Sequence, residues 1–587
     1  MATQKQEFVE KGAATGRQRS AVAAGASLRE PVDWHSINWN QAHWNVRRLQ
    51  ARIVKAMKAG KKRKVRALQF ILARSLGGRA LAVKRVTTNR GRNTPGVDGE
   101  VWDTPRKKAQ AVEQLRSQEY HPQPLRRKAI PKKDGRQRLL GIPTMNDRAR
   151  QALYALMLDP IAETLADPNS YGFRRERSQA DAIERCFGVL ARSTSAQWVL
   201  EGDIQACFDA ICHDWLLAHT PVPKQSTLRK WLKAGYVDQG HWYPTDSGTP
   251  QGGVISPILA NMTLDGLEQE LQRRFGRTQK QKTQNKVHLS RFADDFVVTG
   301  GTKELLENEV QAVIAGFLEP RGLTLSAIKT RVTHINEGFV FLGQSVRKYR
   351  GKLLIRPSNN SVKELLAKVR AVLKANPQAK AGPLILQLNA IIRGWANYHR
   401  HVVSKKTFNK VDWHIHRMVW KWGRKRHRRK STTWVKKKYF KTVGNRHWVF
   451  TGKVRNGDGT TKPVRLYSAA ATPIKRHRKI RGAANPYDPE WELYFEDRLK
   501  RRMVEELEGQ RRLLRLWMQQ EGMCLVCGQT LTEEDDQHIH HIRQRVEGGR
   551  DTLDNLVLLH TNCHRQVHSR GWNVSKPRPA KRAFAEA

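Results

Sequence analysis

Two adjacent acids, Asp294 and Asp295, are the residues of this chain whose types and spacing most directly suggest chemistry. They stand between two short stretches rich in apolar residues, 287–289 and 296–299. That pattern predicts two buried strands joined by a tight turn. Burying two neighbouring carboxylates is costly unless a cation neutralises them, so the pattern favours a divalent metal site. A solvated Asp-Asp turn without a metal is the alternative, and the dipeptide taken alone favours it.

A second acidic segment lies far upstream of this pair. A short apolar stretch that begins at Val199 ends at Asp203, and Phe208 follows five positions later. If Asp203 converges with the Asp294-Asp295 turn, their carboxylates can hold two metal ions. Nucleotidyl transfer requires such a pair, because one ion lowers the pKa of the attacking 3′ hydroxyl and the other stabilises the leaving pyrophosphate. Phe208 is placed to close the floor of the pocket against a 2′ hydroxyl.

Other segments carry residues suited to a nucleotide or a template. Lys132 and Arg136 belong to a short basic stretch that is typical of a hairpin. Arg174 lies among three arginines that can bind phosphate groups. Gln251 lies in a Gly/Pro loop ahead of a predicted helix, where glycine permits a close approach to a substrate. Each segment alone is weak evidence, since Gly-rich loops are usually turns and arginine clusters are usually solvated.

Length and charge limit the classes of protein to which the chain can belong. At 587 residues it is too long for one hydrophobic core and should contain several domains. Its 107 Lys and Arg residues outnumber its 53 Asp and Glu residues, which gives a formal net charge of +54. A surplus that large repels itself unless a polyanion is present, so nucleic acid is the expected partner. No apolar stretch reaches membrane length, and a membrane is therefore not expected as a partner.

The number of cysteines and the first residues of the chain indicate the cellular compartment of the protein. The 6 cysteines are too few and too unevenly placed for a disulfide framework, which favours a reducing cytoplasm. Residues 1–16 contain no apolar signal core, so secretory targeting is not expected. The predicted location is therefore the cytoplasm.

A Cys/His cluster near the end of the chain has the spacing of a metal site. The nitrogen and sulfur ligands suited to a closed tetrahedral zinc site are Cys524, Cys527, His560 and Cys563. Further histidines lie among them at His540, His541, His564 and His568. Because His564 and His568 are four positions apart on one predicted helix, they can bind the same ion. The pattern predicts a pair of strands and a helix that hold a second, open metal site.

The hydrophobic pattern also predicts the regions of the chain. A flexible tail is predicted over 1–35, helices over 39–85, and alternating short strands and helices to about 350. Further helices are predicted over 362–373, 384–395, 408–422 and, as one charged helix, 496–521. Residues 451–489, rich in Gly, Pro, Lys and Arg, predict an irregular or linker region.

A series of collinear blocks from about 38 to 349 resembles reverse transcriptases, specifically those encoded by bacterial group II introns. The blocks are Thr94-Pro-Gly-Val-Asp-Gly99, Leu140-Gly-Ile-Pro-Thr144, Tyr171-Gly-Phe-Arg174, Asp203 with Phe208-Asp209, Pro250-Gln-Gly-Gly253, Phe292-Ala-Asp-Asp295, Gly322 to Thr330, and Phe341-Leu-Gly343. The resemblance implies that Asp203, Asp294 and Asp295 bind two Mg²⁺ ions. It also implies that Arg174 and Gln251 touch nucleotide or template and that Lys329 belongs to the palm. The family usually has Tyr where Phe292 stands, and we expect a mild effect of losing that hydroxyl.

Residues from about 360 to 440 resemble the maturase, or thumb, domain of the same family. This basic segment includes Arg393 and Trp395, and the resemblance implies binding to intron RNA that helps it fold and splice. Individual tryptophans on amphipathic helices are more often core residues, which remains the alternative for Trp395.

Residues from about 522 to 571 resemble HNH endonucleases of the ββα-metal type. In that family's terms His541 is the general base, and Asn555 braces the loop. The resemblance implies that His540, His564 and His568 hold the catalytic ion, Mg²⁺ or another divalent metal. His560 departs from the four cysteines that often bind the structural Zn²⁺, so its place as the fourth ligand stays open. A structural zinc ribbon that binds DNA is the alternative for this region.

Together these patterns predict an α+β multidomain protein. Its predicted parts are right-hand polymerase fingers and palm over 36–350, an α-helical thumb or maturase domain over 351–450, a basic DNA-binding or linker region over 451–505, and a small ββα-metal HNH domain over 506–587. The predicted function is a group II intron-encoded protein that assists splicing, nicks target DNA and reverse transcribes the intron by target-primed synthesis.

The partners implied are group II intron RNA, target DNA and deoxynucleoside triphosphates, with the protein as a monomer or homodimer in the bacterial cytoplasm or nucleoid. Two alternatives remain at this point. One is a reverse transcriptase serving defence or diversification with an HNH effector, and the other is a splicing-only, RNA-binding maturase.

Overall fold

The computed structural model describes residues 32–117, 119–131, 137–455, 460–506, 511–532, 537–543 and 552–576. Within these ranges no helix combines the length and the apolar character needed to cross a membrane. Most of the predicted N-terminal tail, residues 1–31, lies outside the described residues.

Helices and strands are interleaved along the described chain. The helices are α1 (Trp39–Lys58), α2 (Lys62–Arg74), α3 (Leu76–Thr88), α4 (Pro105–Gln114), α5 (Met145–Leu165), α6 (Gln179–Leu190), α7 (Cys207–Ala210), α8 (His213–His219), α9 (Gln225–Leu232), α10 (Ser256–Leu264), α11 (Leu267–Phe275), α12 (Gln279–Asn285), α13 (Gln311–Leu318), α14 (Asn359–Ala375), α15 (Ala381–His399), α16 (Lys405–Arg426), α17 (Thr432–Tyr439), α18 (Glu492–Glu506), α19 (Arg511–Gln519) and α20 (Thr561–Arg570). The strands are β1 (Leu125–Pro131), β2 (Gln137–Ile142), β3 (Trp198–Asp203), β4 (Tyr236–Asp238), β5 (His241–Tyr243), β6 (His288–Phe292), β7 (Asp295–Gly300), β8 (Arg331–His334), β9 (Phe339–Phe341), β10 (Gln344–Tyr349), β11 (Lys352–Pro357), β12 (Phe440–Val443), β13 (Arg446–Arg455), β14 (Thr461–Arg465), β15 (Gln537–His541) and β16 (Leu556–His560).

An N-terminal layer of helices packs on the long helix α5. α1 begins after Asn38, whose side chain accepts a hydrogen bond from the Gln41 N–H at 3.0 Å. Apolar residues three or four positions apart on α1 are buried where it packs on α3 and α5: Val46, Leu49 and Ile53. The helices predicted over 39–85 are confirmed as α1, α2 and α3.

β1 and β2 form an antiparallel hairpin within a sheet of strand order β2-β1-β4-β5. Pro131 pairs with Gln137, which confirms the hairpin predicted around this position. Lys132 and Arg136, the basic residues predicted to bind nucleic acid, lie outside the described residues.

The central sheet has the strand order β6-β7-β3-β8 and carries the acids that the sequence singled out. Phe292 pairs with Asp295 across the β6–β7 hairpin, so Ala293 and Asp294 form a two-residue turn. Ala293 has φ 58°, the left-handed conformation that such a tight turn requires. Every residue of β7 from Phe296 onward is buried, which explains an apolar run without alternation. The two buried strands and the turn predicted from the sequence are confirmed.

The helices α14, α15 and α16 surround a second apolar core, and the sheet β12-β13-β14 packs against it. Trp422 is buried there and packs edge-on against Tyr439, with ring centroids 5.5 Å apart. The helices predicted over 362–373, 384–395 and 408–422 are confirmed. The irregular region predicted from 451 is wrong in its first part, because β13 continues to Arg455 and pairs with β14.

Residues 477–502, here called the palm strap, bind the palm. Between Arg465 and Pro489 the chain forms neither an α-helix nor a strand, which confirms the irregular region predicted there. The buried carboxylate of Asp181, on α6, accepts hydrogen bonds from His477 at 2.9 Å, from the Ile480 N–H at 2.7 Å and from Arg498 at 3.0 Å. These partners are 296 to 317 positions away from Asp181. No local sequence pattern reveals contacts over such a separation, so the sequence did not indicate that this irregular segment packs on the palm.

Further ion pairs hold the palm strap to the N-terminal layer and to the palm. Lys58 of α1 pairs with Asp488 and with Glu490. Arg502 of α18 pairs with Glu176 at 3.2 Å. The strap therefore joins the N-terminal layer to the palm.

We expect the substitution Asp181→Asn to lower the stability of the palm by about 3 kcal/mol, because it removes the anion from a largely buried charge network. Burial alone would raise the pKa of Asp181, but the hydrogen bond and charge of His477, the charge of Arg498 and the Ile480 N–H together hold that pKa well below its usual value. A carboxyl with a depressed pKa stabilises the fold above its unfolded pKa of about 4 and loses that contribution as the pH falls further.

Thermal unfolding midpoints measured from about pH 7 down to about pH 3 check this expectation. The gap between the wild-type protein and the Asp181→Asn variant should be widest near neutral pH and should narrow on acidification. Asp497→Asn is the matched control, because Asp497 pairs with Arg501 on the exposed surface of α18, where a pair contributes at most about 1 kcal/mol. A gap that stayed constant with pH would contradict the expectation.

At the C-terminal end, β15 and β16 form an antiparallel pair that is followed directly by α20. This confirms the predicted pair of strands and a helix. The single helix predicted over 496–521 corresponds to α18 and α19, and residues 507–510 between them lie outside the described residues.

Candidate functional sites

The three acids predicted from the sequence meet at one edge of the central sheet. Asp203 is the last residue of β3 and lies opposite Asp295, the first residue of β7, in the antiparallel register. Asp294 occupies the adjoining turn, and Lys329 Nζ lies 2.8 Å from Asp203 Oδ2. A cavity beside them is lined by residues that include Asp203, Asp295, Lys329, Phe341 and Leu342. The structure therefore brings together Asp203 and Lys329, which are 126 positions apart in sequence.

Burial and mutual repulsion disfavour the charged form of these acids. Burial raises the pKa of Asp295 to about 6, and the negative charges of Asp294 and Asp203 add to that shift. Burial also raises the pKa of Asp294. A divalent cation would restore the charged form, and carboxylate oxygens are the ligands that Mg²⁺ prefers. The donor set at this edge of the sheet therefore fits a magnesium site.

A buried arginine that the sequence analysis did not single out is hydrogen-bonded to the turn formed by Ala293 and Asp294. Arg291 is 0% exposed and pairs with Asp265. Its guanidinium also donates to the Asn261 side chain and to the Ala293 carbonyl, both at 3.3 Å. Gly172 lies so close to this turn that a Cβ atom there would stand 2.3 Å from the Ala293 nitrogen. The available signal was a charged residue inside a stretch that otherwise predicts a buried strand.

Arg174 has a structural position that the sequence analysis did not foresee. Its guanidinium is almost fully buried and donates to both carboxylate oxygens of Glu163 and to the carbonyls of Asp167 and Ser170, at 2.6 to 2.8 Å. Arg177 pairs with the same Glu163 at 2.9 Å. These contacts occupy the guanidinium inside the protein, so the structure lends no support to the predicted contact between Arg174 and a nucleotide.

The described contacts of Phe208 and Gln251, both predicted to lie at the substrate pocket, are with Phe173 and Asp209. Phe208 is half-buried, and its ring packs edge-on against that of Phe173, with centroids 6.1 Å apart. Gln251 Nε2 lies 3.2 Å from a carboxylate oxygen of Asp209. The Gly/Pro loop reaches this position because Gly248, at φ 82°, lies so close to the backbone of 208–209 that a Cβ would stand 2.6 Å from it. A pocket floor at Phe208 and a substrate contact at Gln251 stay predictions.

The Cys/His cluster forms a tetrad suited to zinc. One ligand atom from each of four residues lies within 4.8 Å of the others: Cys524, Cys527, His560 and Cys563. Cys527 Sγ is 3.3 Å from His560 Nδ1. Hydrogen bonds from Cys527 and Cys563 lower the pKa of Cys524, which favours the thiolate form that binds metal. The geometry thus supports His560 as the fourth ligand, the point that the sequence left open, and the set fits Zn²⁺.

A second cluster consists of histidines from β15 and α20. Ligand nitrogens of His540, His564 and His568 lie within 4.8 Å of one another. Burial, with the charges of His568, His540 and His538 adding to it, lowers the pKa of His564 to about 4, so its ring is neutral near pH 7 and can bind a metal. Nδ1 of His540 is buried without a hydrogen-bond partner, as expected of a ligand nitrogen. The sequence analysis missed His538, whose ring centroid lies 5.2 Å from that of His564. Its alternation with His540 along β15 was the available signal.

His541 ends β15, beside this cluster, and Asn555 closes the connection to β16. The Asn555 side chain accepts a hydrogen bond from the Arg543 N–H at 2.7 Å and donates to the Arg543 carbonyl at 3.0 Å. The Ile542 N–H donates to the Asn555 carbonyl at 2.9 Å. Asn555 is therefore hydrogen-bonded to the two residues that follow His541, while its role as a brace and that of His541 as a base stay predictions.

Comparison with family models matches each of these regions. Residues 130–346 match the reverse transcriptase (RNA-dependent DNA polymerase) family, and 34–115 match the N-terminal domain of reverse transcriptase. Residues 362–440 match the group II intron maturase-specific domain. Residues 524–570 match the HNH endonuclease family.

Protein YkfC of Escherichia coli (strain K12) is 35% identical over 312 residues, which cover 46% of this chain and 81% of that protein. The group II intron-encoded protein LtrA of Lactococcus lactis subsp. cremoris is 29% identical over 360 residues, which cover 49% of this chain and 59% of LtrA. The chain belongs to the group II intron-encoded reverse transcriptases. A solved telomerase from Candida albicans in complex with a fragment of telomeric RNA aligns over 54% of this chain and 64% of that one, at 12% identity, and its TM-score of 0.30 is too low to carry an argument.

This group II intron-encoded protein therefore combines an RNA-directed DNA polymerase domain, a maturase domain and an HNH endonuclease domain. Reverse transcriptase and HNH domains use divalent metals, in agreement with the two clusters and the acidic site described above. Its maturase and polymerase domains imply binding to intron RNA.

The maturase domain joins the palm through polar contacts beside the catalytic cavity. The Tyr398 hydroxyl of α15 donates to the Leu342 carbonyl at 2.9 Å, and Leu342 lines that cavity. His399 is fully buried and lies 3.0 Å from the Gln344 side chain and 2.8 Å from the Ser361 hydroxyl. The maturase helices are therefore fixed to the loop between β9 and β10.

The predicted RNA-binding residues of this domain differ in their surroundings. The Trp395 indole donates to Ser361 at 2.9 Å and its ring packs against Phe408, so Trp395 contributes to the packing of the domain. Arg393 is exposed, and its guanidinium lies over the ring of Tyr467 at 4.9 Å. An exposed Arg–aromatic pair is suited to stacking on a base, so Arg393 remains a candidate for RNA binding.

Proposed function

We propose that this protein carries out target-primed reverse transcription of its intron. The observation that carries the proposal is the presence, on one chain with a maturase domain, of a converged acidic polymerase site and a separate histidine cluster of endonuclease type. One site makes a DNA 3′ end and the other extends it. The substrates are group II intron RNA as template, target DNA as primer and deoxynucleoside triphosphates.

In the polymerase, Asp203, Asp294 and Asp295 would hold two Mg²⁺ ions, which activate the primer 3′ hydroxyl and stabilise the leaving pyrophosphate. Lys329, already 2.8 Å from Asp203, balances the negative charge of the acids before a substrate arrives. Phe208 would close the pocket floor against the sugar of an incoming nucleotide, and Gln251 would contact the template or the nucleotide.

In the endonuclease, His541 would act as the general base that takes a proton from water. His540, His564 and His568 would hold Mg²⁺ or another divalent ion, whose charge stabilises the scissile phosphate as it gains negative charge. Zn²⁺ in the Cys524 tetrad would hold the strand pair and α20 together. Asn555 keeps His541 in place through its hydrogen bonds to Arg543.

The maturase domain would bind and help to fold the intron RNA, with Arg393 and neighbouring basic residues contacting phosphates and bases. The expected location is the bacterial cytoplasm or nucleoid, and the protein would act as a monomer or homodimer in a ribonucleoprotein. The domain limits predicted at 36–350, 351–450, 451–505 and 506–587 stay predictions.

The test uses the reconstituted ribonucleoprotein and a DNA duplex containing the integration site. We expect His541→Ala to abolish nicking and with it the target-primed cDNA, because no 3′ end is formed. Supplying the same duplex already nicked should restore cDNA synthesis to within about twofold of wild type, since the polymerase is untouched. His241→Ala, at an exposed histidine of β5, is the matched control and should behave as wild type. Failure of wild-type ribonucleoprotein to extend the pre-nicked duplex would overturn the proposed function.

A further inference from the structure

The endonuclease module, residues 523–576, lies against the N-terminal segment 33–40, about 500 positions away in sequence. Arg570 of α20 pairs with Asp33 at 2.5 Å. The Ser569 hydroxyl is 3.1 Å from His35 Nδ1, and the Gln566 side chain donates to the His35 carbonyl at 3.4 Å. Gln566 is 1% exposed, which shows that this side of α20 is covered. The contacts therefore come from successive turns of one helix face.

The zinc-binding turn meets the same segment. Gly528, which follows Cys527, has φ 58°, and a Cβ atom there would stand 3.0 Å from Asn40 Nδ2. Glycine adopts that backbone angle readily, and it leaves the turn in contact with the Asn40 side chain. The turn after the Cys524-x-x-Cys527 pair is thus seated on the first turn of α1.

Apolar packing accompanies these polar contacts. Trp34, Ile37 and Trp39 are each at most 7% exposed, and they belong to one continuous core with residues of the endonuclease module such as Cys527 and Leu558. Domains within a chain move relative to one another unless their interface is large and hydrophobic. A shared core of this kind argues for a fixed placement of the module.

We propose that the endonuclease works while docked on residues 33–40 of its own chain, so that the nuclease and polymerase sites are held at a fixed separation. The proposal rests on the proposed target-primed function and adds the surface that couples its two steps. Docking keeps the freshly made 3′ end near the polymerase, where its effective concentration exceeds that of free DNA ends. A tethered but undocked module would release that end and lose the coupling.

The test introduces a bulky side chain at the interface between residues 33–40 and the endonuclease module, and it leaves the polymerase and endonuclease sites unchanged. Asn40 is exposed apart from its contact with Gly528, and Asn40→Trp should force the zinc turn away from α1. Gln41→Trp is the matched control, because the adjacent Gln41 side chain is exposed and its described hydrogen bond goes to Asn45 within α1. Hydrogen–deuterium exchange of the amides of 33–40 and 563–570 reports docking directly.

We expect Asn40→Trp to raise exchange in both segments and to lower coupled, target-primed cDNA about tenfold. Nicking of duplex DNA and extension of an annealed primer, assayed separately, should stay within about twofold of wild type. Gln41→Trp should match wild type in every assay. Fast exchange at 33–40 in the wild-type protein, or unchanged target-primed cDNA in an undocked Asn40→Trp variant, would overturn the proposal. Slow exchange at 33–40 in a wild-type protein that makes no target-primed cDNA would show that the interface exists but that the proposed function is wrong. The coupling of nicking to cDNA synthesis would then be refuted together with that function.

Discussion

Primer extension on an RNA template falls by about a thousandfold or more when Asp295 is replaced by asparagine, because the amide cannot supply the charge that holds a catalytic metal. Asp295 lies opposite Asp203 in the sheet register, and its pKa is raised to about 6 by burial and by the neighbouring acids. Because burial and mutual repulsion disfavour the charged carboxylates, the site needs a cation to keep them ionised. The double variant Asp294→Ala and Asp295→Ala should abolish extension altogether.

The matched control for this expectation is Glu201→Gln. Glu201 lies two residues before Asp203 on the same strand, lines the same cavity, and is paired with Arg331 at 2.7 Å. If proximity of an acid to the cavity were enough, both substitutions would be equally harmful. The rate of single-turnover extension of an annealed primer distinguishes the two variants, since Asp295→Asn should be slow and Glu201→Gln should not. Splicing of the intron RNA by the same variants should stay near wild type. Robust extension by Asp295→Asn would show that the polymerase site lies elsewhere.

Loss of a single zinc ligand unfolds the endonuclease module and leaves the polymerase working. We expect Cys563→Ser to remove bound zinc and to reduce nicking more than a hundredfold, since structural zinc contributes about 10 kcal/mol or more to small metal-bound folds. Cys563 is fully buried at the start of α20, the helix that also carries His564 and His568. Without the tetrad the Cys524–Cys527 turn is no longer joined to α20, and we expect the histidines of β15 and α20 to lose their shared geometry.

Zinc content by elemental analysis and nicking of duplex DNA measure the two parts of this expectation. Cys212→Ser is the control, because Cys212 is a cysteine of the palm remote in sequence from the tetrad, and it should change neither quantity. Extension of an annealed primer should stay within about twofold of wild type for Cys563→Ser. Normal nicking by a zinc-free variant would contradict a structural role for the tetrad.

Some contacts were beyond the reach of the sequence for a definite reason. Arg174 stood in an arginine cluster that predicted phosphate binding, yet its guanidinium is occupied by Glu163, a residue of α5 that no spacing rule connects to it. The palm strap begins in a Gly/Pro-rich basic stretch that predicted an irregular or linker region, and only the structure shows that it binds Asp181 of α6. In both cases the partner is set by packing of distant segments, and local patterns carry no information about it.

The sequence by itself determined the chemistry of this protein: the acids Asp203, Asp294 and Asp295, the Cys/His spacing from Cys524 to His568, and the order of the blocks between them. These are properties of residue type and local spacing, which a short stretch of chain carries completely. Only the tertiary structure decided which groups hold those residues in place. The contact of Arg291 with the Ala293 carbonyl, the position of His560 beside the three cysteines, and the packing of residues 33–40 on the endonuclease module all depend on where distant segments pack. Packing is a property of the whole fold, and therefore the connection between the two active sites becomes visible only there.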